Sequence, residues 1–150
     1  MESNKVSFSE AFCYHKDMKS LFICRQNTGR SQVAMELFTL HFGTKAGSAG
    51  TAVDDAGQKL IDRLPAKNVI TIMKDYGVDM SNNIRKQVTP EMADEYDKIF
   101  VMAEPATIPV WLSENKKTEI WIIPDMKDLD LESSRKVVAE IDEKIKHLTL

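Results

Sequence analysis

Leu21-Phe22-Ile23-Cys24-Arg25-Gln26-Asn27-Thr28-Gly29-Arg30-Ser31-Gln32, continuing through Val33 to Phe42, sets the architecture of this chain. A short apolar run ends at Cys24, a polar loop follows, and from Ser31 onward Ala34, Leu37, Phe38 and His41 fall at helical spacing. The stretch therefore reads as strand, tight loop and helix. A loop entering a helix exposes successive backbone N–H groups that no intrahelical carbonyl satisfies, and together they form a cradle for an anion such as phosphate. Asn27 and Gly29 are residue types that tolerate left-handed backbone, which aiming several amides at one centre requires. Arg30 adds a planar, permanently charged fork suited to two anionic oxygens. Cys24, beneath the anion, is surrounded by positive groups that favour a nucleophilic sulfur anion. Ser31 is placed either to cap the helix or to donate its hydroxyl to that sulfur.

The rest of the chain supplies one domain around this loop. Its 150 residues, 43% of them hydrophobic, suffice for one sizeable core. The net charge of −3, from 20 basic and 23 acidic side chains spread along the sequence, points to neither a nucleic acid nor an anionic membrane. No apolar run approaches the ~20 residues of a membrane span, and Met1 to Met18 lacks the apolar centre of a signal peptide, so the chain reads as soluble and cytoplasmic. Two cysteines, Cys13 and Cys24, are too few for a disulfide scaffold. Residues 1–18 read as a frayed extension, with Cys13 a spectator. His15, His41 and His147 are scattered without ligand spacing, so no metal site is expected, and His41 reads as a core-edge or solvent residue.

Further strands are expected at Thr44–Ala49, Asp97–Met102 and Glu119–Ile122. Helices are expected around 58–63, over 66–76, from Thr89 and Pro90, around 105–112, and over 131–147. Strand and helix alternate throughout, which predicts an α/β fold: a four-stranded parallel sheet in order 2-1-3-4, covered by helices on both faces. In such a sheet the strand C-termini converge on the ligand crevice, so Asp125, just past the last strand and stiffened by Pro124, can face the Cys24 loop. Asp128 and Asp130 compete with it.

The segment Cys24-Arg25-Gln26-Asn27-Thr28-Gly29-Arg30-Ser31 resembles the active-site loop of the low-molecular-weight protein tyrosine phosphatase superfamily, which includes thioredoxin-coupled arsenate reductases. The resemblance runs from about Lys19 to the C-terminus, giving a catalytic domain over 19–150 with a flavodoxin-like fold. It implies phosphate binding by Arg25, Gln26, Asn27, Thr28, Gly29, Arg30 and Ser31, with Cys24 as nucleophile and no cofactor. Ser48-Ala49-Gly50-Thr51 is similar to the family's small-residue segment beside the loop, making Ser48 a supporting residue. The polar connection from Asp79 to Gln87 matches a family segment that often holds a histidine supporting the loop asparagine. Here Asn82 and Asn83 stand instead, and Asn83 is assigned that supporting role. The family's general acid lies in an Asp-Pro pair after the last strand. Asp125 is the matching aspartate, with Met126 in place of the proline.

Three readings share this loop. The first is a phosphomonoester hydrolase working through a phosphocysteine, its substrate a phosphotyrosine protein or a small phosphomonoester. The second is an arsenate reductase, since arsenate is nearly isosteric with phosphate. The thioredoxin-coupled enzymes use two further cysteines, which this chain lacks beyond Cys13, so reduction needs an external thiol. The third is an anion-binding module with an idle cysteine. The aromatic residues lining the phosphotyrosine slot of typical family members are not evident. Ala52, Val53 and Asp54 follow the small-residue segment, and Lys127 and Asp128 follow Asp125.

Overall fold

The structure is a computed structural model, and it describes residues 18–148; the tail expectation and Cys13 lie outside them. Strand β1, Ser20–Cys24, is buried at every position, and such a run suits the centre of a sheet covered on both faces. It pairs in parallel with β2, Gly47–Gly50, on one side and with β3, Lys98–Val101, on the other. Strand β4, Thr118–Ile120, extends the sheet in parallel beyond β3. The order is β2-β1-β3-β4, the predicted 2-1-3-4 arrangement.

Successive side chains of a strand point to opposite faces, and the central strands divide their apolar residues accordingly. Phe22, Cys24 and Phe100 face one layer, packed by helices α1, Arg30–Phe42, α2, Lys67–Asp75, and α5, Leu131–Lys146. Leu21, Ile23, Ile99 and Val101 face the other, covered by Val88 and by residues of the short helices α3, Pro90–Asp94, and α4, Val110–Ser113. Phe22 anchors the first layer: its ring centroid lies 5.2 Å from that of Phe100 and 5.7 Å from that of Phe38 on α1. Helix α1 stops at Gly43, whose φ of 69° is the left-handed conformation glycine adopts without a Cβ penalty. His41, read as a core-edge or solvent residue, is exposed, with Nε2 2.6 Å from Asp142 Oδ1 on α5.

Element boundaries differ from expectation where proline or a sheet edge intervenes. The helix expected around 58–63 is a 3₁₀ turn, Leu60–Asp62, and a second, Leu64–Ala66, contains Pro65 and precedes α2. The helix expected around 105–112 is likewise split into a 3₁₀ turn at Pro105–Thr107 and α4, which begins after Pro109. The second strand starts later, at Gly47, because pairing begins where Leu21 meets Gly47. Strand β4 spans only three residues, and its pairing with β3 is completed by Trp121 N–H donating to Val101 O at 2.9 Å.

Candidate active site

The loop between β1 and α1 lies at the C-terminal end of the central strand. Its carbonyls are turned outward and bonded. Cys24 O and Arg25 O each accept from the backbone at 2.9 Å, from Thr51 and Ala52 respectively. Gln26 O accepts from Arg85, and Asn27 O from Gln32 Nε2 at 3.3 Å. The loop amides behave oppositely: among the described residues none from Arg25 to Arg30 has a protein acceptor. Backbone with its carbonyls satisfied outside and its N–H groups unsatisfied inside is an anion nest.

Asn27 makes this possible. Its φ is 55°, the left-handed conformation expected of it. Its side-chain oxygen accepts from Lys86 N–H at 2.8 Å and from Gln32 Nε2 at 3.1 Å. A backbone N–H only donates, so the Asn27 amide orientation is fixed, and Nδ2 donates to Ser31 Oγ at 2.7 Å and Ser48 Oγ at 3.1 Å. Ser31 Oγ, which accepts from Asn27, also shares a hydrogen bond with Cys24 Sγ, 3.0 Å away, in which either atom can be the donor. Of the two roles open to Ser31, the structure selects the sulfur. Helix α1 begins at Arg30, and its cap is Gly29, with no side-chain hydrogen bond.

Gly29 corrects a second expectation. Its φ is −119°, so the loop needs no left-handed residue there, and a Cβ would stand in contact with Met126 Cε and Val69 Cγ1. The tighter requirement falls on Gly50 of β2, where a Cβ would collide with Arg25 O and Asn27 N. Asn83 also differs in detail. It reaches Asn27 only through Gln32, donating to Gln32 Oε1 at 3.2 Å and to Glu36 Oε2 at 2.8 Å.

Arg30 lies along the cleft with one end anchored. Nη1 donates to Met102 O at 2.6 Å, Glu104 Oε2 at 2.9 Å and Ile123 O at 3.1 Å. Nε and Nη2 have no protein acceptor among the described residues, which leaves one edge of the fork for an anion. Glu104 is held below the usual carboxylate range: its partial burial acts to raise it, but the hydrogen bond and charge of Arg30 outweigh that effect. Glu104 is therefore anionic at neutral pH and keeps Arg30 aligned.

A cleft of about 220 Å³ brings Cys24, Arg25, Gln26, Thr28, Gly29 and Arg30 together with Asp125. Asp125 is exposed, and its Oδ1 accepts from Lys127 N–H at 3.1 Å. Its competitors stand elsewhere. Asp128 lines an adjoining hollow with Leu64 and Lys67 rather than the cleft over Cys24, and Asp130 caps α5, accepting from Ser133 N–H at 2.7 Å. That hydrogen bond holds the Asp130 carboxyl low and commits it to structure.

Sequence reasoning missed Arg85, the largest fully buried side chain. Nε and Nη2 grip Gln26 O at 3.2 and 3.0 Å, Nη1 reaches Asp54 O and Gln58 Oε1 at 2.8 Å each, and Nη2 also meets Asp54 Oδ1 at 2.8 Å. It ties the phosphate-side loop to the segment after β2. Arg85→Met leaves these acceptors unpaired, at a cost on the order of 3 kcal/mol, the upper end for one unsatisfied buried group. For a chain of this size that is a Tm loss of roughly 6–12 °C, measurable by calorimetry. The Asp54 carboxyl is held below the ordinary range, chiefly by the Arg85 hydrogen bond, against burial and with help from Arg63. A depressed carboxylate contributes stability above its unfolded value and loses it as pH falls through its folded value. The stability difference between wild type and Asp54→Asn should therefore be fully present at pH 7, begin to shrink as the pH falls to about 4, and disappear only below the lowered folded value, in urea titrations.

A parallel sheet carrying a Cys-x5-Arg amide nest at the end of its central strand defines a class, the flavodoxin-like phosphatases that work through cysteine. The chain belongs to the family described as low molecular weight phosphotyrosine protein phosphatase, which matches residues 19–149 and whose members are phosphatase hydrolases. It is similar to the Vibrio vulnificus Wzb structure in complex with benzylphosphonate, at 26% identity and TM-score 0.73, covering 86% of this chain and 94% of that one. The low molecular weight protein tyrosine phosphatase of T. tengcongensis shares the fold at 23% identity and TM-score 0.73, covering 86% and 95%. Among curated proteins, the glutaredoxin arsenate reductase of Synechocystis sp. is 26% identical over 132 residues, 87% of this chain and 95% of that protein. Among the described residues, no helix is long and apolar enough to cross a membrane.

Proposed function

We propose that the chain hydrolyses phosphomonoesters in two displacements at phosphorus, with Cys24 as nucleophile, Arg30 and the loop amides as the anion holder, and Asp125 as general acid and base. The observation that carries this reading is the loop itself: among the described residues every amide from Arg25 to Arg30 lacks a protein acceptor, while Cys24 Sγ lies within hydrogen-bond distance, 3.0 Å, of the Ser31 hydroxyl. Cys24 Sγ attacks phosphorus, the bond to the ester oxygen breaks, and that oxygen takes the proton of Asp125. The nonbridging oxygens are held by the amides and the open edge of Arg30 as they spread in the transition state. Water then attacks the phosphocysteine and gives a proton to Asp125. The S–P bond breaks, and the Ser31 hydroxyl stabilises the departing thiolate. A reducing compartment such as the cytoplasm keeps that sulfur free for the next turnover.

A general acid matters most for a poor leaving group. Asp125→Asn should slow hydrolysis of phenyl phosphate by ~10²- to 10⁴-fold, and that of p-nitrophenyl phosphate far less. It should also remove the basic limb of the kcat/KM profile, while Asp128→Asn does neither. The opposite pattern would place the acid three residues further along.

A second reading is supported by the arsenate reductase relative. The same nest would accept arsenate, and Cys24 would displace water to form a thiol-arsenate adduct. One thiol of an external dithiol, such as a glutaredoxin or thioredoxin, attacks Cys24 Sγ, and the S–As electron pair leaves with arsenic as arsenite. The second thiol breaks the mixed disulfide, freeing Cys24 and leaving the dithiol oxidised. Arsenate-dependent oxidation of such a dithiol, measured beside p-nitrophenyl phosphate hydrolysis, ranks the two activities directly.

A further inference from the structure

Beyond the nest the cleft is polar and cationic. Among the described residues its lining includes no Phe, Tyr or Trp, and its apolar side chains outside the loop are Pro65, Val69 and Met126. Arg25, Arg30, Arg63 and Lys127 line it together with Asp125, the one carboxylate there among the described residues. Arg30 belongs to the nest. Arg63 is paired through Nη1 with Asp54, but its Nε is buried without a partner. Lys127 is exposed and forms no ion pair with a described residue. At the base of the same cleft, on the first turn of α5, Ser134 is fully buried and its hydroxyl has no hydrogen-bond partner. Buried hydroxyls are almost always bonded, so an orphan donor lining a cleft marks a place where a ligand atom completes the set. Asn68, beside it, holds Leu129 O at 3.3 Å, a long bond.

An aromatic leaving group gains little here. Among the described residues it would find no ring to stack on, and it would cover Lys127 and the unpartnered Nε of Arg63 without giving either an acceptor. A carboxylate on a short aliphatic chain would instead meet Arg63 and Lys127, with Ser134 and Asn68 available to its remaining oxygens or to a chain hydroxyl. We propose that this part of the cleft is an anion subsite, and that the preferred substrate is a small aliphatic phosphomonoester bearing a carboxylate. The proposal rests on the nest holding the phosphoryl group, as set out under the proposed function.

The experiment compares two nonhydrolysable phosphonates by calorimetric titration of the full chain: 2-carboxyethylphosphonate and benzylphosphonate. The carboxylated compound should bind about tenfold more tightly, the scale of one charge-assisted hydrogen bond. Lys127→Ala and Ser134→Ala should each shrink that preference ratio, the lysine change by most of the factor. The subsite is overturned if benzylphosphonate binds as tightly or more so, or if the ratio is the same in the variants as in wild type. Turnover of p-nitrophenyl phosphate, assayed on the same preparation, separates the two levels. Turnover without a carboxylate preference removes the subsite alone, whereas no turnover and no binding of either phosphonate removes the phosphatase reading with it.

Discussion

Cys24→Ser should abolish phosphatase turnover, by about 10⁶-fold if this cysteine behaves as covalent nucleophiles do elsewhere, while phosphate binding persists. The two halves of the result have separate physical sources. On the proposed reading, binding resides in the amides from Arg25 to Arg30 and in the free edge of Arg30, none of which the substitution touches. Turnover resides in the sulfur, because a serine hydroxyl in this nest has no adjacent base to take its proton. The side chain hydrogen-bonded to position 24, Ser31, offers only a hydroxyl, too weak a base to take that proton. Inorganic phosphate should therefore inhibit wild type and bind the variant with affinities within a few-fold of each other.

Arg30→Lys is expected to have the next largest effect, a loss of roughly 10²- to 10³-fold in kcat, the scale of removing one preorganised oxyanion donor. The guanidinium does two jobs in different directions. Nη1 is fastened to Met102 O, Ile123 O and Glu104, which sets the plane of the fork, and the other edge is left for the phosphoryl oxygens. An ammonium is a point charge on a flexible stem and cannot be held at one end while presenting two parallel donors at the other. Glu104 is 48% exposed and would draw the lysine outward, away from the anion. Arg30→Lys with wild-type kinetics on p-nitrophenyl phosphate would contradict this geometry.

How much of this was legible in the sequence depends on how far apart the cooperating residues lie. The strand, loop and helix around Cys24 were readable because apolar periodicity, Asn27 and the Cys-to-Arg spacing are all local. The sheet order followed from the alternation of elements. Arg85 was not readable: its partners Gln26, Asp54 and Gln58 lie 27 to 59 residues away, and in sequence it is one charge in a polar connection. Gln32, which joins Asn83 to Asn27, is equally silent, since a glutamine in the first turn of a helix resembles a solvated surface residue. Gly29 was read for conformational freedom that the loop takes from Asn27 alone, while Gly50, seen only as one of several small residues, is the glycine the loop cannot do without. Asp125, Asp128 and Asp130 are separated by what they touch, and only the capping bond of Asp130 had a local signature, an aspartate directly before an apolar-periodic helical run.

The central claim is that the phosphoryl group passes through Cys24, and the direct measurement is mass spectrometry of the enzyme quenched in denaturant during turnover of p-nitrophenyl phosphate, with Cys24→Ser alongside. The account predicts one phosphoryl group on the peptide containing Cys24 in the wild type, and neither label nor turnover in the variant. A phosphoryl group on any other residue of the wild type, or hydrolysis that continues in Cys24→Ser, would contradict it.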